Sequence, residues 1–188
     1  MQMIKILYLG SESNVTTELR NHGALVTTIS RTSSIMIDLL KANAEETDKM
    51  LQTYLPEYNN IMIMTGRLVG KPIIEQSLKE STDSWLLNAF WPARMAELAL
   101  EINNSVQVLM VTSESATKGS YDFSYSMAKA GLETYITQRQ TLATQRIFGI
   151  SPSTISDLPM TTRRQDIHRL EKYLNDHPMK EFVTSKML

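Results

Sequence analysis

The chain has no cysteine. That absence removes a disulfide framework, a thiolate metal site and a cysteine nucleophile together, and it is compatible with a reducing compartment. Histidine is nearly as uninformative: His22, His168 and His177 stand at no metal-ligating spacing, so no metal site is expected. No GxxxxGK[ST] phosphate loop occurs. An excess of one charge is missing too, since 19 basic and 20 acidic residues leave −1 overall. The only basic cluster, Arg163 and Arg164 with Arg169 nearby, is explained by a solvated helix face. Nucleic acids and anionic membranes both select cationic surfaces, so neither is expected as a partner. No apolar stretch approaches the roughly 20 residues of a membrane span, and the N-terminal "MQMIKILYLG" is too short an apolar run for a signal peptide. The expectation is a cytoplasmic domain acting on a small molecule.

What is present is a regular alternation. "IKILYL" (4–9) is a largely apolar run closed by Gly10, as a strand buried on both faces reads. "NVTTELRNHG" has helical composition with Gly23 at the stop, and "ALVTTIS" (24–30) returns to β-branched strand character. "IMIDLL" reads as a brief strand, 44–56 as a helix ended by Pro56, and "NIMIMTG" (60–66) as another buried strand. Residues 82–103 form a long helix whose apolar residues go nearly all the way round, so it must be covered on more than one side. "VQVLMVTS" (106–113) is a strand, a helix carrying Tyr125 runs to about 145, and "RIFGIS" (146–151) is a strand. An amphipathic helix and a final strand, "EFVTSKML", close the chain. Strands alternating with helices imply an α/β fold: a single Rossmann-like, doubly wound parallel sheet of about seven strands with helices on both faces, one domain spanning 1–188.

Within "SYDFSYSMAKAGLETYI" (120–136), Tyr125 and Lys129 stand four residues apart. On a helix that spacing places phenol and ammonium on one face. A Tyr-x-x-x-Lys match arises by chance in roughly a third of chains with this composition, so an ordinary helix-surface pair is the alternative. Its company decides between them.

The order of landmarks resembles the short-chain dehydrogenase/reductase superfamily from residue 3 to 188. "LMVTS" ends a strand where that family has its catalytic serine, which falls on Ser113, with Thr112 and Ser115 as close substitutes. "WLLNAFWP" puts Asn88 where the family has its catalytic asparagine. "ISPSTISDLPM" is similar to the family's Pro-Gly segment beside the nicotinamide, implicating Pro152, Ser153 and Ile155. "SRTSSIMIDLL" is similar to the second and third strands and implies cofactor roles for Arg31, Asp38 and Leu39; Thr65 and Gly66 follow the fourth strand, and Gly10, Ser11 and Ser13 form the first turn. "FVTSKML" looks like the family's last strand. The resemblance implies hydride transfer between a nicotinamide cofactor and a carbonyl or alcohol. Tyr125 would be the general acid/base, Lys129 would lower the phenol's pKa and bind the cofactor ribose, and Ser113 would polarise the substrate oxygen. Asn88 would hold a water linking Lys129 to solvent. Arg31, at the end of the second strand, implies NADP (NADPH) rather than NAD through a salt link to the 2′-phosphate. The helices at 82–103 and 122–145 imply a homodimer or homotetramer.

The pattern also breaks. The family's first turn has three glycines in a TGxxxGxG arrangement; here Gly10 stands alone, and Glu12 adds a negative charge where phosphates would sit. Ile63 and Met64 replace the asparagines usual after the fourth strand, and Ser153 replaces a glycine. Residues 153–188 leave little chain for a substrate-covering segment. Two readings therefore stand: an NADP(H)-dependent oxidoreductase, or a short-chain-dehydrogenase-like fold without cofactor that serves as a binding or assembly protein.

Overall fold

Six short parallel strands set the architecture in the computed structural model, which describes residues 3–188. The elements run β1 (Lys5–Leu9), α1 (Asn14–Asn21), β2 (Leu25–Ser30), β3 (Ile35–Met36), α2 (Ala44–Tyr54), β4 (Asn60–Ile63) and α3 (Leu78–Trp85). A π-helical turn (Leu86–Phe90) then leads into α4 (Trp91–Ile102), followed by β5 (Gln107–Val111), α5 (Ser115–Lys118), α6 (Phe123–Gln138), β6 (Arg146–Ile150), α7 (Pro159–Thr162) and α8 (Ile167–Asp176). The sheet order is β3-β2-β1-β4-β5-β6. The strand order reverses beside β1, which pairs with β2 on one side and β4 on the other. In such sheets the crevice outside the strand C-termini at that reversal is the usual ligand site.

The apolar runs form strands because both faces are covered. Leu7, Tyr8 and Leu9 are all buried, and alternate residues enter different clusters. Leu7, Leu9, Ile61, Ile63, Val108 and Met110 join the larger core with α2, α4 and α6; Tyr8, Val26 and Met62 join a smaller one under α1 and the segment after β6. Each fully buried aliphatic side chain contributes about 1.5–3 kcal/mol. Helix starts follow local capping: Asn43 Oδ1 accepts from the Glu45 and Glu46 N–H groups, and Ser77 and Glu80 form a reciprocal capping box at α3.

Two expectations are corrected. The sheet has six strands, not seven: in "EFVTSKML" only Val183 pairs, in a single bridge to Ile155. The chain then bends because Asp157 Oδ1 accepts both the N–H and the hydroxyl of Ser185, at 2.9 Å each, which replaces a continuing ladder. The helix expected to reach about 145 stops at Gln138, where Arg139 turns extended and its guanidinium grips Glu97 at 2.7 and 2.9 Å. The short C-terminal region still builds a cover, α7 and α8, over the strand C-termini.

Candidate active site

A cavity of about 930 Å³ opens at the C-terminal edge of the sheet. Ser113, just beyond β5, and Tyr125 and Lys129, on α6, all border it and are all buried. Tyr125 is placed by the first turn of α6, whose N-cap Asp122 accepts its backbone N–H at 3.2 Å. Burial raises the phenol's pKa, the neighbouring Ser113 hydroxyl lowers it by hydrogen bonding, and the Asp122 charge raises it, for a net upward shift. Lys129 Nζ donates to the Val111 carbonyl at 2.8 Å and lies 6.0 Å from the Tyr125 ring centroid. Burial brings the ammonium's pKa down to about 8. Desolvation dominates the phenol's shift, and Tyr125 is protonated at neutral pH.

Ser113 is singled out from its neighbours by direction. Thr112 turns its hydroxyl to Glu133 Oε1 (2.9 Å) and the Ile150 carbonyl (3.1 Å), away from the phenol. Ser115 starts α5 and donates its N–H to Ser113 Oγ at 3.2 Å.

Asn88 is fully buried and does not border the cavity. Its Nδ2 donates to the carbonyls of Arg67 (2.8 Å) and Ser84 (2.9 Å), and its Oδ1 accepts the Arg67 N–H at 3.1 Å. Both Nδ2 hydrogens are engaged, by these carbonyls and the Ser84 hydroxyl at 3.2 Å, while Oδ1 has a single partner. These bonds clamp the loop after β4. The π-helical turn carries it inward, and Gly66 makes room: a Cβ there would stand 2.9 Å from Asn88 Oδ1 and 3.8 Å from Lys129 Nζ. Thr65 Oγ1 donates to the Leu87 carbonyl at 3.1 Å, tying the same loop to the same turn.

At the other end, Gly10, Ser11 and Ser13 line the cavity beside the start of α1, where first-turn N–H groups have no intrahelical acceptor. A Cβ on Gly10 would meet the Tyr8 ring at 2.9 Å and the Met64 carbonyl at 3.2 Å, so this one glycine is sterically required. Glu12 is neutralised within its own network. Arg20 holds both carboxylate oxygens at 2.8 Å, Thr16 and Thr28 donate at 2.8 and 2.9 Å, and these contacts, the Arg20 hydrogen bonds foremost, bring its pKa down to about 2. Arg31 is exposed at the cavity edge with no carboxylate in ion-pair range among the described residues. Asp38 Oδ1 accepts the Leu40 N–H at 3.2 Å, and buried Leu39 lies between them. Pro152, Ser153 and Ile155 close the wall after β6.

Two hydroxyls bear on whether this cavity suits a dinucleotide. Ser153 Oγ is buried in its wall without a hydrogen-bond partner, which is costly unless something satisfies it, whereas Ser13 Oγ faces the first amides of α1 and the Tyr8 phenol. The start of α1 and exposed Arg31 offer donors that fit a phosphate-bearing ligand.

The sequence reading did not single out Asp122 or the clasp on the cover. Tyr121 donates to Asp166 Oδ2 at 3.0 Å, Arg164 holds Asp166 at 2.9 and 2.6 Å, and the Arg169 guanidinium sits 4.1 Å from the Tyr121 ring centroid. The Asp122 signal was available as an Asp three positions before a helical residue of interest; the clasp joins residues 45 apart and has no local signature.

No protein-family model and no curated protein sequence matches the chain. Solved structures do match it. A short-chain dehydrogenase/reductase, glucose/ribitol dehydrogenase from Brucella melitensis, is 16% identical over 97% of this chain and 84% of its own, with a TM-score of 0.81. A ligand-free aldohexose dehydrogenase from Thermoplasma acidophilum is 15% identical over 98% and 83%, TM-score 0.78. An actinorhodin polyketide ketoreductase variant solved with NADPH is 14% identical over 98% and 86%, TM-score 0.80. At these identities the likeness establishes the fold alone.

Proposed function

Because the chain has the short-chain dehydrogenase/reductase fold, we propose that it is an NADPH-dependent oxidoreductase that reduces a carbonyl, or oxidises the corresponding alcohol. The observation that carries this reading is the meeting of Ser113, just beyond β5, with Tyr125 and Lys129 of α6 on one cavity whose far end is lined by the β1–α1 turn and Arg31. The nicotinamide cofactor would supply or accept the hydride; the protein's part is binding, orientation and proton supply. Gly10, Ser11, Ser13 and the α1 N-terminus would hold the pyrophosphate, Asp38 and Leu39 the adenine end, and Arg31 a 2′-phosphate. Thr65, Gly66, Pro152, Ser153 and Ile155 would flank the nicotinamide half.

Ser113 donates a hydrogen bond to the substrate oxygen, and Tyr125 gives it a proton as negative charge develops. The phenol is protonated at neutral pH, as a proton donor must be, and burial raises its pKa further. Lys129, cationic below about pH 8, adds positive potential beside the phenol and donors toward a ribose. We assign Asn88 to positioning the loop that carries Gly66. Trp85, Phe90, Phe123 and Met127 are exposed on α3, the π turn and α6, which supports pairing with a second copy through these helices.

The test is a fluorescence titration of NADPH with protein. Enhancement of nicotinamide emission, or energy transfer from Trp85 and Trp91, is expected at micromolar concentration. Neither signal at high protein concentration would favour the binding-protein reading that the single-glycine first turn suggested.

A further inference from the structure

Asp122 is fully buried, and its carboxylate accepts five hydrogen bonds. On the helix side Oδ1 takes the Ser124 hydroxyl at 2.9 Å and the Tyr125 N–H at 3.2 Å. On the loop side Oδ2 takes the N–H groups of Val69 and Gly70 at 2.7 and 2.9 Å, and Gln76 Nε2 reaches Oδ1 at 2.9 Å. No cation lies within ion-pair range of it among the described residues. A buried carboxylate without a counter-ion persists only if donors and dipoles replace water. Here four N–H donors, a hydroxyl and the positive end of a 16-residue helix do so.

An ordinary N-cap accepts one or two bonds from its own helix. This one takes three of its five bonds from a segment 46 to 53 residues earlier. That segment is the loop after β4, whose Arg67 and Leu68 border the cavity. Its beginning is clamped by Asn88 on both sides of Arg67. Gly70 adopts φ 77, a conformation that favours glycine, and a Cβ there would stand 3.6 Å from the Tyr121 hydroxyl.

We propose that Asp122 is a positioning residue whose buried carboxylate fastens the loop after β4 to the first turn of α6 and so fixes the Tyr125 phenol against Ser113. The charged groups that face the phenol are both on its own helix, Asp122 below it and Lys129 one turn on; from β5 it meets the Ser113 hydroxyl, which is neutral. Asp122 therefore has two effects, mechanical through the loop and electrostatic on the phenol. The consequence for proton transfer rests on the oxidoreductase reading; the mechanical coupling does not.

The experiment combines native-state amide exchange with a phenol titration followed by ultraviolet difference absorbance, Tyr125 being identified by subtraction of a Tyr125→Phe spectrum. In the wild type, the amides of Val69, Gly70 and Tyr125 are expected to exchange as one unit; a fast loop beside a slow helix would overturn the coupling. In Asp122→Asn the side-chain oxygen can still cap the helix, but its amide faces the Val69 and Gly70 donors. Loop exchange is expected to rise about tenfold or more, and the Tyr125 titration to move to lower pH. Asp122→Ser keeps a cap without reaching the loop and is expected to give the same two changes if the asparagine variant does not fold. A folded variant with unchanged loop exchange and an unchanged Tyr125 titration overturns the proposal. If NADPH fails to bind the wild type, the oxidoreductase reading falls while exchange and titration still decide the role of Asp122.

Discussion

At one end of the cavity stand Ser113, Tyr125 and Lys129, the residue types the proposed proton transfer requires, each buried and held by named neighbours. At the other end the β1–α1 turn keeps a single glycine and fills the remaining positions with serine and an arginine-paired glutamate. The difference follows from which atoms each end uses. Proton transfer requires a particular side chain at a particular point, so substitution there removes the function. Phosphate binding at a helix start relies on backbone N–H groups, which any residue supplies if the backbone can approach. Only Gly10, pressed against the Tyr8 ring, cannot be replaced without displacing a neighbour.

The sharpest way to break this comparison is at the chemical end. Tyr125→Phe is expected to lower kcat/KM for any reduced carbonyl by about 10²–10⁴-fold, with NADPH affinity unchanged; equal losses in both would place Tyr125 in binding rather than proton transfer. At the nucleotide end, Arg31→Ala is expected to weaken NADPH about ten- to hundredfold and leave NADH untouched, measured by parallel titrations. A similar loss for both cofactors would remove Arg31 from 2′-phosphate recognition.

Lys129 sharpens the contrast through stability. Its pKa in the folded chain is about 8 against an ordinary 10.5. The burial penalty is therefore full below pH 8, and stability rises as pH climbs from 8 toward 10.5, where only the unfolded chain stays protonated. Lys129→Met is expected to stabilise the protein by on the order of 2 kcal/mol at pH 7 while removing activity, with the gain shrinking at pH 9.5 in thermal melts. No gain at pH 7 would mean that the amine is not held at such a penalty. The smallest effect belongs to Glu12→Gln. Its carboxylate is half-exposed and already paired, so stability should change by less than about 1 kcal/mol and NADPH affinity by only a few-fold. A large gain in affinity would show that Glu12 opposes the phosphates after all.

The inner strands were legible because a parallel sheet covered on both faces demands apolar runs, as β1, β4 and β5 show, while β2 and the exposed edge strand β6 were legible from their β-branched and aromatic residues. "FVTSKML" has the same composition, but Asp157 captures Ser185 and only Val183 pairs, a competition no local pattern reveals. Ser113, Tyr125 and Lys129 were findable because their spacing and element ends are local. The occupation of Asn88 by the Arg67 backbone and of Glu12 by Arg20 and Thr28 were not. Both depend on where the chain returns, which composition does not encode.

The central claim is that one cavity brings a nicotinamide ring to Ser113 and Tyr125. A crystal structure of the protein grown with NADP at saturating concentration tests it most directly. The account predicts the dinucleotide along the strand C-termini, its nicotinamide beside the Tyr125 hydroxyl and its ribose within hydrogen-bond reach of Lys129 Nζ. A cavity that stays without dinucleotide density, or a cofactor bound with its nicotinamide remote from Tyr125, would contradict it.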